Sequence, residues 1–226
     1  MIPLRDTIPA QRTAWVMRLL VVLNLLGFGI EWLQGPSLEA FLYRFGLVPS
    51  YWQLTSLRDV VQWPSLLVTL VSSQFLHGSA LHLGSNLLYL WIFGDNVEDR
   101  LGHGRFLLFY LTSGVAAGVL QVGMDPHASV PMIGASGAIA GVLGAYFVLF
   151  PFARVVTLLP LLIFWKTIEV PAFVFLGLWF VLQWFQGFST IGQMAQVGGV
   201  AWWAHVGGFA WGVMLVLLLR TRRHYF

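Results

Sequence analysis

Three groups of polar side chains interrupt long apolar stretches of this sequence, and together they could carry out acyl transfer. Ser136 lies between small residues inside residues 128–153, a run without Asp, Glu, Lys or Arg. His205 lies in a second uncharged run, and His82 and Asn86 are four residues apart. A serine beside a histidine base can become a nucleophile, and imidazole or amide donors can stabilise the oxyanion that its attack creates.

Ser136 considered alone does not distinguish catalysis from helix packing. It is followed by Gly137, Gly141 and Gly144, and small residues of this kind let membrane helices approach closely. The other interpretation is a nucleophile placed where the backbone is open and a general base can reach it. Which interpretation holds depends on whether the rest of the chain brings a base and an oxyanion pocket to the same place.

The composition is typical of a membrane protein. Hydrophobic residues make up 58% of the 226 residues and charged residues only 9%, whereas soluble domains contain roughly 25% charged residues. The basic residues lie between apolar runs, a distribution typical of membrane proteins. The high isoelectric point of 9.6 therefore does not indicate a nucleic-acid partner. The absence of cysteine excludes disulfides and a thiol nucleophile, and no H-E-x-x-H motif is present to hold zinc.

Apolar runs predict six transmembrane helices, at about residues 14–33, 81–97, 106–123, 136–152, 171–185 and 202–219.

The two remaining apolar pieces are too short to span. Residues 66–76 belong to the long connection 35–79, which we expect to be a folded loop embedded in the membrane. Residues 155–165 contain a proline and are expected to lie at the interface because they are too short to cross. If they did cross, the direction of every later helix would be reversed. The predicted organisation is a short cytoplasmic tail at 1–13, a membrane domain at 14–221 and a C-terminal tail at 222–226.

Six spans place both termini on the same side of the membrane. Ten of the twelve Lys and Arg residues lie on that side, and Arg44 and Arg58 lie on the other. The positive-inside rule therefore predicts cytoplasmic termini in a multi-pass protein of the cell membrane. The short tails and compact layout favour a bacterial inner membrane.

This topology brings the polar groups together. The second, fourth and sixth spans run in the same direction, so their N-terminal ends share the outer face of the membrane. Those ends carry His82 and Asn86, Ser136, and His205. Polar and ionisable side chains within spans are costly and are usually functional. Gly208 and Gly212 match the spacing of the glycines after Ser136, which predicts close packing of the fourth and sixth spans.

Four motifs follow one another between residues 75 and 212. They are His77-x4-His82-x3-Asn86, Gly94-x3-Glu98-x3-Gly102, Gly134-Ala135-Ser136-Gly137 and Ala204-His205-x2-Gly208-x3-Gly212. In these motifs the chain resembles the rhomboid family of intramembrane serine proteases.

The resemblance implies an all-α membrane protein, a six-transmembrane-helix rhomboid-like bundle with a membrane-embedded first loop. It implies that Ser136 is the nucleophile and His205 the general base, a dyad without an acidic third member. His82 and Asn86, with the backbone N–H of Ser136, would form the oxyanion hole. Substrates would be transmembrane or juxtamembrane segments of other membrane proteins, expected to be single-pass, and the lipid bilayer is the other partner. No cofactor is implied, and the turn around Glu98 would be structural.

The sequence departs from the family pattern at two places. Family members often carry an aromatic residue one helical turn after the serine, stacked on the histidine ring, and that position is Ala140 here. What orients His205 is therefore open, with Trp202 and Trp203 as candidates. A Trp-Arg pair common in the first loop falls at residues 68–69, which are Val and Thr.

Two other functions remain as alternatives from the sequence. A non-catalytic rhomboid-like scaffold that binds transmembrane helices would typically lack the serine or the histidine, and this chain has both. A transporter would be expected to show an inverted repeat, and no internal repeat is apparent in the sequence.

Overall fold

The computed structural model describes residues 1–53, 63–161, 164–189 and 199–221, and most of them are helical. In chain order the elements are β1 Ile2–Asp6, α1 Trp15–Leu33, α2 Leu38–Phe45, α3 Trp63–Ser72, α4 Ala80–Leu101, α5 His103–Met124, α6 Ser136–Leu149, β2 Arg154–Leu161, β3 Phe164–Pro171, α7 Ala172–Ser189 and α8 Trp202–Thr221. The predicted tail 222–226 and residues 54–62 of the predicted first loop lie outside the described residues.

The six predicted spans all fall on helices, and the chain is a multi-pass membrane protein. Helices α1, α5, α7 and α8 are each long and apolar enough to cross a membrane. Helix α4 forms a pair with residues 65–75 that is bent by 82° and counts as a fifth span if the pair is taken as one. Helix α6 is apolar but has only 14 residues. The count of six spans therefore remains a prediction.

Helices α6 and α8 pack with their backbones in direct contact. A Cβ atom added at Gly208 would overlap the carbonyl oxygen of Gly137, and one at Gly212 would overlap that of Gly141. All residues of α6 from Gly137 to Tyr146 are buried. The approach of the two helices predicted from the glycine spacing is thus confirmed.

The described part of the first connection is tied to the segment that leads into α6. Leu47, which is fully buried, exchanges two backbone hydrogen bonds with Met132, at 3.0 and 2.7 Å. The N–H of Gly134 donates to the carbonyl oxygen of Ser73 at 2.9 Å. The loop therefore helps to fix the backbone immediately before Ser136.

A three-stranded antiparallel sheet in the order β1-β2-β3 corrects the all-α prediction. The segment expected to lie at the interface is a hairpin, with Val155 opposite Val170 and Thr157 opposite Ile168. Strand β1 adds to it from the region expected to be a polar tail, with Ile2 opposite Leu158. Residues 155–157 are β-branched, and Val155 and Thr157 are buried in the alternation typical of a strand.

Carboxylates join the sheet and α1 to the ends of α4 and α6 remote from Ser136. Asp6 on β1 accepts hydrogen bonds from the Asn96 side chain and from the Tyr146 hydroxyl. Buried Glu98 accepts from the backbone N–H groups of Val16 and Met17 at 3.0 and 2.7 Å. These N–H groups belong to the first turn of α1, where no helical carbonyl can satisfy them. Glu98 thus has the structural role predicted for its turn.

If α6 and α8 are in direct backbone contact, a single methyl group added between them should lower the stability of the protein. We expect Gly212→Ala to destabilise the protein by about 1–3 kcal/mol, because the two backbones must separate to admit it. Gly29→Ala on α1 is the matched control, since nothing lies within 4 Å of a Cβ there. Thermal unfolding of both variants in detergent checks this. Equal stability of the two variants would show that the contact is not tight.

Candidate active site

The close packing of α6 and α8 brings Ser136 and His205 into hydrogen-bond contact. Ser136 is the first residue of α6 and His205 the fourth of α8, and Ser136 Oγ lies 2.8 Å from His205 Nε2. His205 is 9% exposed and Ser136 is half-buried. A hydroxyl that donates to a neutral imidazole nitrogen is the arrangement from which a base can take the serine proton.

The other nitrogen of the His205 ring also has a partner, which the sequence analysis missed. His205 Nδ1 lies 2.7 Å from Oε1 of Gln183 on α7. Because an amide oxygen can only accept, Nδ1 carries the proton and donates it to Gln183. The neutral ring then has its free lone pair on Nε2, facing Ser136.

Two tryptophan rings lie close to the His205 ring. Trp179 on α7 lies 5.7 Å from it between ring centroids with the planes 34° apart, and Trp202 meets it edge-on at 6.2 Å. Trp203 instead packs on Phe188, at 5.0 Å. Trp202, one of the two tryptophans suggested by the sequence, therefore lies against the histidine. Trp179, which the sequence did not suggest, lies more nearly parallel to the histidine ring.

Helix α5 also helps to hold the first turn of α8. The N–H of Ala204, next to His205, is shared between Oε1 of Gln121 at 3.2 Å and the carbonyl oxygen of Ala201, just before α8, at 3.1 Å. The first N–H groups of a helix need partners from outside the helix, and a buried one is costly if left unpaired. Gln121 therefore fixes the start of α8 against α5.

His82 and Asn86 line the same cavity as Ser136. The cavity has a volume of about 640 Å³, and its walls also include Ser136 and His205. Gly134, which has a φ of 127°, passes so close to His82 that a Cβ there would lie 2.7 Å from the ring. Glycine is therefore required at this position both by its backbone conformation and by the space available.

Asn86 is held by His77, the remaining member of its motif. The Asn86 side-chain N–H donates to His77 Nε2 at 3.0 Å. The backbone N–H of His77 in turn donates to Oε1 of Glu31 on α1, at 2.8 Å. All three residues are buried. A carboxylate on α1 thus supports the loop that positions Asn86.

The cavity therefore combines a hydroxyl paired with an imidazole and several hydrogen-bond donors. As the first residue of α6, Ser136 also has a backbone N–H that no helical carbonyl can reach. Together these groups are suited to acyl transfer, in which a nucleophile attacks a carbonyl and donors stabilise the resulting oxyanion.

Glu31, Gln121 and Gln183 were absent from the sequence prediction, although a signal for each was present. All three are polar side chains within apolar spans, and such residues usually face a partner inside the bundle. Their partners could not be named, because pairing depends on how each helix is rotated about its axis.

The contact between Glu31 and His77 generates a prediction. We expect Glu31→Met to destabilise the protein by about 1–3 kcal/mol, because the buried N–H of His77 loses its acceptor. Glu31→Gln retains an acceptor oxygen of the same reach and should stay close to wild type. Thermal unfolding in detergent measures both variants. If Glu31→Met is as stable as Glu31→Gln, the contact does not support the loop.

Comparison with known proteins gives one consistent family. Residues 64–222 match the family model for the Rhomboid domain. The chain is 30% identical over 178 residues to Rhomboid protein 1, mitochondrial, of Saccharomyces cerevisiae, a match covering 75% of this chain and 48% of that protein. It is 43% identical over 84 residues to Rhomboid protease GluP of Bacillus subtilis, covering 37% and 15% of the two chains. Presenilin-associated rhomboid-like protein, mitochondrial, of Bos taurus is 27% identical over 191 residues, covering 79% and 45%.

These matches cover about half of each relative's own length or less. The relatives come from a yeast, a bacterium and cattle, and two of their names are mitochondrial. The placement in a bacterial inner membrane therefore remains a prediction.

Proposed function

Because the chain belongs to the rhomboid family, we propose that it is an intramembrane serine endopeptidase in which Ser136 and His205 form the catalytic dyad. The observation that carries this proposal is the 2.8 Å hydrogen bond between Ser136 Oγ and His205 Nε2. The cavity beside the pair, with donors on its wall, gives further support.

The proposed reaction has two stages. His205 Nε2 takes the proton of Ser136 as Oγ attacks the carbonyl carbon of the scissile peptide bond. His82, Asn86 and the backbone N–H of Ser136 stabilise the oxyanion. The imidazolium then protonates the leaving amine, the C–N bond breaks, and an acyl-enzyme remains on Ser136. Water, activated by His205, hydrolyses this ester and regenerates the serine.

The substrate we propose is a transmembrane or juxtamembrane segment of another membrane protein, single-pass in the simplest case. Attack requires an extended backbone, so the substrate helix must unwind locally before its carbonyl reaches Ser136. Family resemblance suggests small residues at the cleaved bond. Water for deacylation would enter from the outer face, so the polar residues near the first turns of α4, α6 and α8 would line a wet cavity.

The proposed topology has six spans, with both termini cytoplasmic. On this arrangement the sheet end of the bundle faces the cytoplasm. The reactive ends of α4, α6 and α8 then open toward the outer face, where substrate segments and water meet.

Purified protein and a model transmembrane substrate test the proposal. We expect Ser136→Ala to abolish cleavage and His205→Ala to lower kcat by a factor on the order of 10⁴ or more, because the nucleophile or its base is removed. Ser189→Ala and His127→Ala change the same residue types at exposed positions and should cleave like wild type. Cleavage products are measured by gel and mass spectrometry.

Three results would contradict parts of this proposal. Cleavage by Ser136→Ala would exclude Ser136 as the nucleophile. Equal cleavage by His205→Ala and His127→Ala would exclude His205 as the base. Substrate binding without cleavage by the wild type would favour a scaffold that holds transmembrane helices.

A further inference from the structure

We propose that Gln183 is the positioning residue of the dyad, holding His205 in the one neutral tautomer that can accept the proton of Ser136. Its place is the one that a carboxylate occupies in a serine–histidine–acid triad. The proposal rests on the proposed function and adds a third helix, α7, to the machinery carried by α6 and α8.

Gln183 is an unusual residue for its position on α7. It is 7% exposed, whereas its neighbours Leu182 and Trp184 are 58% and 43% exposed. The side chain of Gln183 thus lies on the face of α7 that packs against the other helices. Burying an amide is costly unless it is hydrogen-bonded, so a purely packing role would favour an apolar side chain here. The bond to His205 explains why an amide can be accommodated.

The geometry of the bond selects one state of the ring. Gln183 Oε1 accepts from Nδ1 at 2.7 Å, while Nε2 lies 2.8 Å from Ser136 Oγ. Without the Gln183 oxygen, the ring could carry its proton on Nε2, where it would block proton transfer from Ser136. In serine proteases the partner of Nδ1 performs this selection, and its loss reduces turnover through the wrong tautomer.

An amide differs from a carboxylate in one testable respect. Both accept a hydrogen bond from Nδ1, but only the carboxylate carries a charge that stabilises the imidazolium formed during the reaction. Gln183 therefore orients the ring with little added stabilisation of its charged form. This matches a dyad whose members are both uncharged at rest.

Aromatic contacts on α7 keep Gln183 in place. Trp179, one turn earlier, lies beside the His205 ring, and Phe180 packs on Phe209 of α8 at 4.6 Å. One turn later, a Cβ at Gly187 would lie 3.0 Å from the ring of Trp203. The packing of α7 against α8 therefore determines the distance between Gln183 and His205. Trp179 also supplies an aromatic ring beside His205, which the alanine at position 140 cannot do.

The test compares Gln183→Met, Gln183→Glu and the control Gln186→Met, which makes the same change at an exposed position on α7. We expect Gln183→Met to lower kcat about tenfold or more, since one hydrogen bond and the tautomer preference are lost. KM should be unchanged, because the described residues lining the cavity do not include Gln183. Gln186→Met should resemble wild type.

Gln183→Glu separates positioning from packing. It keeps an acceptor for Nδ1, so it should cleave faster than Gln183→Met. Its carboxylate favours the imidazolium, so the acid limb of the pH profile of kcat/KM should move to higher pH than in wild type. An unchanged limb would show that the side chain at position 183 does not reach Nδ1, and a variant no faster than Gln183→Met would show that the acceptor does not matter. Thermal unfolding of every variant shows whether activity is lost through unfolding.

Wild-type kcat and an unchanged pH profile in Gln183→Met would overturn the proposal while leaving the dyad intact. Equal loss of activity in Gln183→Met and Gln183→Glu, in step with lowered thermal stability, would assign Gln183 to packing and also overturn it. The wild type and Ser136→Ala are run in parallel. Failure of the wild type to cleave would instead overturn the proposed function, and this proposal with it.

Discussion

The direct backbone contact between α6 and α8 is the constraint on which the rest of the structure depends. Glycines at matching four-residue spacing leave no side chain between Gly137 and Gly208, or between Gly141 and Gly212. Because the two helices run together at this distance, their first turns meet, and Ser136 and His205 come within 2.8 Å. A membrane interior offers no hydrophobic drive for this association, so close packing and interhelical hydrogen bonds must provide it.

Hydrogen bonds between different elements pair several of the polar groups that surround this contact. Glu31 on α1 accepts from the backbone of His77, and His77 accepts from Asn86. Gln121 on α5 accepts from the first turn of α8, and Gln183 on α7 accepts from His205. An unpaired polar group in hydrocarbon costs several kcal/mol, so these bonds both stabilise the bundle and orient its side chains. Stability and site geometry therefore rest on the same contacts.

Much of the helical arrangement could be predicted because its signals are local. Apolar length located the helices, and the spacing of Gly208 and Gly212 predicted the partner of α6. The pairing of β1 was missed because its partner strand lies some 150 residues later, Ile2 opposite Leu158, and no local pattern indicates it. The hairpin of β2 and β3 did have a local signal in the β-branched residues 155–157, but the apolar run there was interpreted only by its length. Gln183 was missed for a related reason. Its amide is visible in the sequence, but its partner depends on the rotation of α7, which Trp179 and Phe180 set through tertiary contacts.

Covalent labelling tests, without a substrate, whether Ser136 is a nucleophile activated by His205. Purified protein in detergent is treated with a serine-directed fluorophosphonate and measured by intact and peptide mass spectrometry. We expect one adduct per chain, on the peptide containing Ser136, with labelling greatly slowed by His205→Ala because the hydroxyl loses its base. An unlabelled wild-type protein, or an adduct on another serine, would contradict it.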